Sequence, residues 1–351
     1  MAKQNAIANS VNACVVAEIV CANRYGVSIT LEGIYARANK HKLKAKCVET
    51  ITTYEKLKSD GGKRIIHDFG PVRRVRSIIA SDIFFISAPM NKWEYCKTGK
   101  NAKCIFQGVE EALEQEYLFW AVLDIKDAFP SVRRGHIFDM VDMSKLVVQE
   151  LIPYIGYGTS ANKEAVQPAL PQGMAASSLV LSALVGQALC KLPKQIARCC
   201  FVDDLLVGAK SQTELDASTE ALKGYFANLS AGPLTLTVVE TCDFSSNSEA
   251  AIRFIGYKAR LDKFTKEFRI SPNARSFGRM KKEVVRRATK MITDDFHYSL
   301  MEKLILSYAR NWAQQFHLWP KTSQSITLYE ITAITALSET WSGHLNAKSS
   351  S

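Results

Sequence analysis

The sequence contains no Cys-x-x-Cys pair, no internal repeat and no low-complexity segment apart from a terminal Ser349-Ser350-Ser351. Its nine cysteines are irregularly spaced, and its six histidines complete no ligand pattern. A disulfide framework and a structural zinc site are therefore excluded, and mostly buried free thiols in a reducing compartment are expected. Long hydrophobic runs are also missing. The most apolar stretch, Leu179 to Cys190, is too short to span a bilayer. The opening Met1-Ala2-Lys3-Gln4-Asn5 leads into an interrupted apolar stretch with no signal-peptide core. These absences predict a cytoplasmic protein with no membrane partner.

What is present is ordinary in amount and unusual in arrangement. The 351 residues are 47% hydrophobic and 23% charged, enough for two or three subdomains. The net charge of +11 is segregated. Residues 37–103 carry 16 basic and 6 acidic side chains, residues 104–257 carry 11 and 18, and residues 258–303 carry 13 and 6. Basic arms suit the backbone of a polyanion, and an acidic centre between them suits divalent cations. The alternative is solvated surface charge.

Along the chain, residues 3–24 read as one helix, and Thr30 to Arg37 as a second with Thr30 as its cap. Lys40 to Lys46 is a basic patch. Ser59 to Ile66 reads as a turn followed by a strand. Gly70-Pro71 and the arginines Arg73, Arg74 and Arg76 read as a hairpin-like basic segment. Glu110 to Glu116 is helical, and the apolar run Tyr117 to Leu123 reads as a strand buried on both faces that ends at Asp124. A helix restarts near Arg133. Leu170-Pro171-Gln172-Gly173 is a turn opening a small-residue helix, Ala175 to Leu192. Then come a polar helix Gln212 to Leu229, a strand Leu234 to Val239, and a short strand holding Phe254-Ile255-Gly256-Tyr257. From about Pro272 onward everything reads as helical, with Arg279 to Met291 basic and amphipathic.

One stretch organises the rest. In Arg198 to Val207, two adjacent carboxylates interrupt an apolar, β-forming run, which predicts a hairpin with Asp203-Asp204 at its tip. Ionised carboxylates there are costly unless a cation compensates them. A polar turn between two core strands is the plainer alternative.

Three blocks in order shift that balance. Val122-Leu123-Asp124-Ile125-Lys126-Asp127-Ala128-Phe129, then Leu170-Pro171-Gln172-Gly173 through Ser178, then Phe201-Val202-Asp203-Asp204 resemble the first palm motif, the second palm motif and the xxDD box of the reverse transcriptase family. Lys63-Arg64 with the following arginines resembles its basic fingers segment, and Phe254-Ile255-Gly256-Tyr257 its primer-grip hairpin. The resemblance covers about residues 55–260.

It implies an α+β polymerase right hand with an antiparallel palm, fingers and a helical thumb. Residues 1–36 would form an N-terminal helical extension and 37–103 the fingers. Residues 104–257 would form the palm, with fingers elements inserted near 140–170, and 258–351 the thumb with a disordered tail. It implies an RNA-directed DNA polymerase using two Mg²⁺ ions, or Mn²⁺, held by Asp124, Asp203, Asp204 and the Ile125 carbonyl. Lys63, Arg64, Asp127, Ala128, Phe129, Gln172 and Gly173 would bind the incoming dNTP. Phe129 would lie where a ring clashes with a 2′-hydroxyl. Arg73, Arg74, Arg76, Phe254, Gly256, Tyr257, Arg279 and Lys282 would bind nucleic acid. The partners implied are an RNA template, a DNA or RNA primer and a dedicated non-coding RNA; an oligomer is allowed.

There are departures. Leu234 to Thr241 resembles the fourth palm motif, with Glu240 where the family usually carries lysine. The Val-Thr-Gly thumb signature of retron enzymes is absent, and the Leu-Pro-Gln-Gly block that diversity-generating members replace is intact. About 40 residues follow the expected thumb, too few for a further module. The resemblance is greatest to bacterial solo enzymes linked to phage defence or to unclassified bacterial groups. Protein-primed or untemplated DNA synthesis, and a catalytically weak RNA-binding scaffold, remain as alternatives.

Overall fold

The structure is a computed structural model. It describes residues 1–57, 62–88, 92–93, 102–153, 169–246, 249–262, 264–265, 267–314, 316 and 323–349. The expected Ser59-Asp60-Gly61 turn, residues 154–168 of the insertion near 140–170, Cys96 and the last two serines lie outside these. The fold is α+β, with helices and antiparallel sheets, and the chain divides into two compact units, Met1–Thr241 and Cys242–Ser351.

The first unit begins with two helices where one was expected, α1 (Ala2–Ala8) and α2 (Val11–Tyr25). The break at Asn9-Ser10 has local causes. Ser10 caps α2 by accepting from Ala13 N, and the Ala8 carbonyl accepts from Leu43 N at 3.0 Å. Gly26 ends α2 in the left-handed region, and α3 (Leu31–His41) starts at Thr30, whose hydroxyl accepts from Gly33 N as expected.

A two-stranded ribbon follows, β1 (Ile51–Leu57) with β2 (Lys63–Phe69). The segment after it is a helix, α4 (Pro71–Ser87), rather than a hairpin. Proline at the first helical position is preorganised for a helix start. The remote Glu49 carboxylate accepts from Val72 N and Arg73 N at 3.0 and 2.8 Å. A Cβ on Gly70 would meet that carboxyl at 2.6 Å, so this approach requires glycine.

Then come α5 (Ala102–Glu114), β3 (Phe119–Ile125), α6 (Ala128–Ser131), α7 (Arg134–Met140), α8 (Lys145–Leu151) and α9 (Ala175–Cys190). The unit closes with β4 (Ala197–Phe201), β5 (Asp204–Ala209), α10 (Gln212–Ala227) and β6 (Leu236–Asp243), the last crossing the boundary. The sheet order is β4-β5-β3-β6. Trp120 to Leu123 and Leu205 to Ala209 are buried, so the central strands are covered on both faces. α9 is apolar around its circumference and lies in the core. Arg198 is buried, and its guanidinium donates to the Leu189, Leu192 and Pro193 carbonyls where α9 ends. Among the described residues no single helix is long and apolar enough to cross a membrane. Eight cysteines are described; all are free thiols, five of them buried.

The second unit holds a sheet, β7 (Ala251–Phe254), β8 (Tyr257–Leu261) and β9 (Phe268–Pro272), and three helices, α11 (Ala274–Thr293), α12 (Tyr298–Gln314) and α13 (Ser323–Ser349). Ile255-Gly256 is the two-residue turn between β7 and β8 rather than part of a strand, with φ of 43° and 88°. In α11, Ser276, Met280, Val284 and Ala288 form a buried i, i+4 stripe, and the basic residues take the other faces.

Candidate active site

Three strands position the carboxylates. β3 and β5 pair antiparallel in a register that sets Asp124 opposite Asp204, and β4 pairs with β5 so that Phe201 also faces Asp204. The reversal between β4 and β5 is tight, with Val202 at φ 64°, a backbone region that β-branched residues rarely adopt. The expected hairpin is present, with Asp203 in its turn and Asp204 opening β5.

The electrostatics are those of like charges brought together in a half-buried place. Asp204 is pushed up to about 7, first by burial, then by the neighbouring Asp203 and Asp124. Asp203 is also raised by burial, against its own backbone N–H and the Arg64 guanidinium. Arg64 on β2 thus opposes the acids, while the neighbouring Lys63 is exposed and paired with Glu55 at 2.7 Å. Ile125 is buried, so only its carbonyl is suited to a metal. On the β6 side, Thr237 Oγ1 donates to the Asp124 carbonyl at 3.1 Å, and Lys126 N to the Thr235 carbonyl at 2.9 Å.

The donor set is hard oxygen, and like charges raise the pKa of one of its members. A divalent cation fits such a set. Among the described residues, no three His, Cys, Asp or Glu side chains are gathered tightly enough to form a metal cage. Mutual repulsion of the carboxylates accounts for the open arrangement.

The turn Leu170 to Gly173 is held between β2 and α9. The Gln172 carbonyl accepts from His67 N at 2.8 Å and from His67 Nδ1 at 3.2 Å, and Ser177 Oγ donates to the Pro171 carbonyl at 2.6 Å. Gly173 has φ 103°, and a Cβ there would lie 2.6 Å from the His67 carbonyl oxygen, so no other residue fits. His67 carried no signal in the sequence, because its partner is 105 positions away. Asp127, at φ 48°, precedes α6, where Ala128 is buried and Phe129 packs half-buried on the core.

The basic residues divide. Arg73 Nε donates to the Glu49 carbonyl at 3.0 Å, and Arg74 pairs with Asp68 at 2.6 Å with its guanidinium over the Tyr25 ring. Arg76 is a correction. It is buried, paired with Glu150 at 2.5 Å, and donates to the Leu43 and Ala45 carbonyls, so it braces the interior and is closed to nucleic acid. Phe254 and Tyr257 are corrected likewise: both side chains are buried, leaving the turn backbone at Gly256 as the accessible part. Arg279 and Lys282 are exposed on α11.

The model of the family described as reverse transcriptase (RNA-dependent DNA polymerase) matches residues 58–233, half of the chain. The chain belongs to the reverse transcriptase family. This is a family of nucleotidyltransferases that generally use divalent metals. The matched span runs from the residue before the fingers turn to the start of the fourth palm motif, and so includes all three acids. Similar solved structures include apo telomerase from Candida tropicalis truncated from its C-terminal domain, at 13% identity and a TM-score of 0.41 over 64% of this chain and 55% of that one. Telomerase from Candida albicans in complex with a fragment of telomeric RNA is similar at 11% identity and a TM-score of 0.40, over 83% of this chain and 61% of that one. The chain thus spans less than two thirds of either. No curated protein matches the sequence.

Proposed function

We propose that this reverse transcriptase family member is an RNA-directed DNA polymerase that adds dNTPs to a primer 3′-hydroxyl. One observation carries the reading. The β3–β5 register brings Asp124 beside Asp204, 80 positions away, and burial with the neighbouring Asp203 and Asp124 pushes Asp204 up to about 7. The sheet would gain nothing from such a cluster unless a cation joined it.

When bound, two Mg²⁺ ions, or Mn²⁺, would supply activation of the 3′-hydroxyl and neutralisation of the leaving pyrophosphate. Asp124 and Asp203 would hold them, with Asp204 beside them and the Ile125 carbonyl as a further oxygen. The chain's own part is positioning and charge. Lys63 and Arg64 would neutralise the triphosphate, with the Asp127 and Ala128 backbone beside it. Gln172 and Gly173 would wall the nucleotide pocket, and the Phe129 ring would exclude a 2′-hydroxyl. Glu240 adds no positive charge near the pyrophosphate, so that neutralisation falls to the metals and the β2 cations.

In this reading residues 37–103 serve as fingers, 104–257 as palm and 258–351 as thumb, behind the extension 1–36. In the first unit Arg73 and Arg74, and in the second Arg279, Lys282 and the Gly256 turn, would each contact nucleic acid, in the cytoplasm. The resemblance to defence-linked enzymes makes protection against phage the biological role to test first, by plating efficiency with and without the gene.

Primer extension tests the reading. dNTP incorporation that needs Mg²⁺ or Mn²⁺ and vanishes in Asp203→Ala is expected. Incorporation of NTPs alone, or full activity in Asp203→Ala, would overturn it. Sequencing the product separates templated copying from untemplated addition. The open arrangement of the acids favours one second reading, an RNA-binding scaffold. Salt-dependent, metal-independent RNA binding without incorporation would identify it.

A further inference from the structure

The turn at Gln172-Gly173 is held by a side chain outside every block named so far, His67 on β2. Three features converge on it. Its backbone N–H and its ring Nδ1 both donate to the Gln172 carbonyl, at 2.8 and 3.2 Å. Its own carbonyl oxygen would lie 2.6 Å from a Cβ on Gly173, so the two backbones are in close approach. Its Nε2 is buried with no hydrogen-bond partner. A carbonyl only accepts, so Nδ1 carries the ring proton and Nε2 presents a bare lone pair. That tautomer uses both lone pairs of the Gln172 oxygen and pins the turn to β2. The same strand carries Arg64, whose guanidinium acts on Asp203. His67 therefore ties the turn to the strand that brings a cation to the acids.

We propose that His67 is a positioning residue: its neutral form fixes the Gln172-Gly173 turn against β2, and protonation at Nε2 releases it. The kinetic consequence rests on the polymerase reading above; the contact itself does not. An imidazolium would put a second N–H and a full charge where no acceptor stands. Among the described residues, the ionisable groups lining the cavity beside the ring are Arg24 and Tyr25 of α2, Tyr54 of β1, Asp68 of β2 and Arg74 of α4. Asp68 is already paired with Arg74 at 2.6 Å, so this set offers an imidazolium no unmatched acid. Burial accordingly pushes the His67 pKa down, against the Gln172 carbonyl, which pulls it up. The pin is therefore present above the ordinary imidazole value of about 6.5. It is lost only as pH falls through the lower value of the folded chain.

Steady-state dNTP incorporation by the full chain between about pH 5.5 and 8 tests this in two variants. His67→Asn keeps a donor near the Nδ1 position and cannot titrate, whereas His67→Leu keeps bulk alone. In His67→Leu the KM for dNTP should rise about tenfold at every pH, with kcat little changed. In the wild type a similar rise should appear only on the acid side, and in His67→Asn the KM should stay flat near the neutral wild-type value. Wild-type KM in His67→Leu at neutral pH, or an acid rise in His67→Asn equal to that of wild type, overturns the proposal. Hydrogen exchange, corrected for its intrinsic pH dependence, answers without activity. It follows the His67 and Leu170 amides, bonded to the Gln172 and Val132 carbonyls. Their protection should fall on acidification in the wild type, be low throughout in His67→Leu and hold in His67→Asn. This pattern in a chain that incorporates no dNTP would overturn the polymerase reading and leave the positioning role standing. Protection indifferent both to pH and to His67→Leu overturns the positioning role whatever the activity.

Discussion

Two of the places where the first unit draws charge out of water treat it in opposite ways. Beneath α4, Arg76 meets Glu150 at 2.5 Å and also donates to the Leu43 and Ala45 carbonyls. At the hairpin, Asp203 and Asp204 sit half-buried with Asp124 across the sheet, and Arg64 opposes Asp203. In the first arrangement opposite charges face each other, although burial still pushes the Glu150 carboxyl up. In the second, like charges stand side by side, and under the proposed function a cation would offset their desolvation. Bracing and binding are thus told apart by whether the buried charge is already matched.

The largest break in that comparison comes from Asp203→Asn. It should abolish dNTP incorporation yet leave the melting temperature no lower than wild type, because it removes a repulsive charge. Thermal unfolding beside primer extension measures both, and a large fall in stability would mean that the acid braces the hairpin. The reverse is expected at the closed pair. Arg76→Met leaves the Glu150 carboxylate buried and unmatched, a loss of about 3–5 kcal/mol in urea unfolding. Adding Glu150→Leu should recover most of it. A single variant as stable as wild type would show that the pair contributes little.

Gly173→Ala comes next. Its Cβ would press on the His67 carbonyl oxygen at a positive φ, so a loss of about 1–2 kcal/mol is expected, with weaker dNTP binding seen as a raised KM. The smallest effect belongs to an exposed cluster in the second unit. Hydrogen bonds from Arg286 and then Arg287 hold Glu283 down at about 2, against a modest opposing effect of burial. A depressed carboxylate stabilises above its unfolded pKa of about 4.3 and loses that contribution as pH falls toward 2. Glu283→Gln should therefore remove part of the acid sensitivity between about pH 4 and 2, worth under about 1 kcal/mol because the pair is solvated. Equal acid midpoints for variant and wild type would remove Glu283 from the account.

Much of this was legible in the chain. The continuous apolar run before Asp124 is β3, the reversal around Asp203 is the β4–β5 turn, and the small-residue run after Gly173 is α9. Each is a local pattern whose burial and period can be read from neighbouring residues. The misreadings share one cause. Arg73, Arg74 and Arg76 look alike in sequence. Yet one donates to the Glu49 carbonyl, one pairs with Asp68 over Tyr25, and one is buried on Glu150. The helix they occupy is capped by a residue more than twenty positions upstream. Phe254 and Tyr257 likewise read as contact residues until the sheet of the second unit covers them.

By itself, then, the sequence determined β3, the β4–β5 reversal, α9 and the order of the acidic blocks, because hydrophobic period and turn chemistry act between neighbours. Only the tertiary structure decided which charges are matched and which are left open. Coulomb energy depends on distance through space and on the dielectric around each group, and neither follows from separation along the chain. Arg76 and Glu150 lie 74 positions apart and cancel. Asp124 and Asp204 lie 80 apart and repel, and that repulsion is the feature on which the proposed chemistry rests.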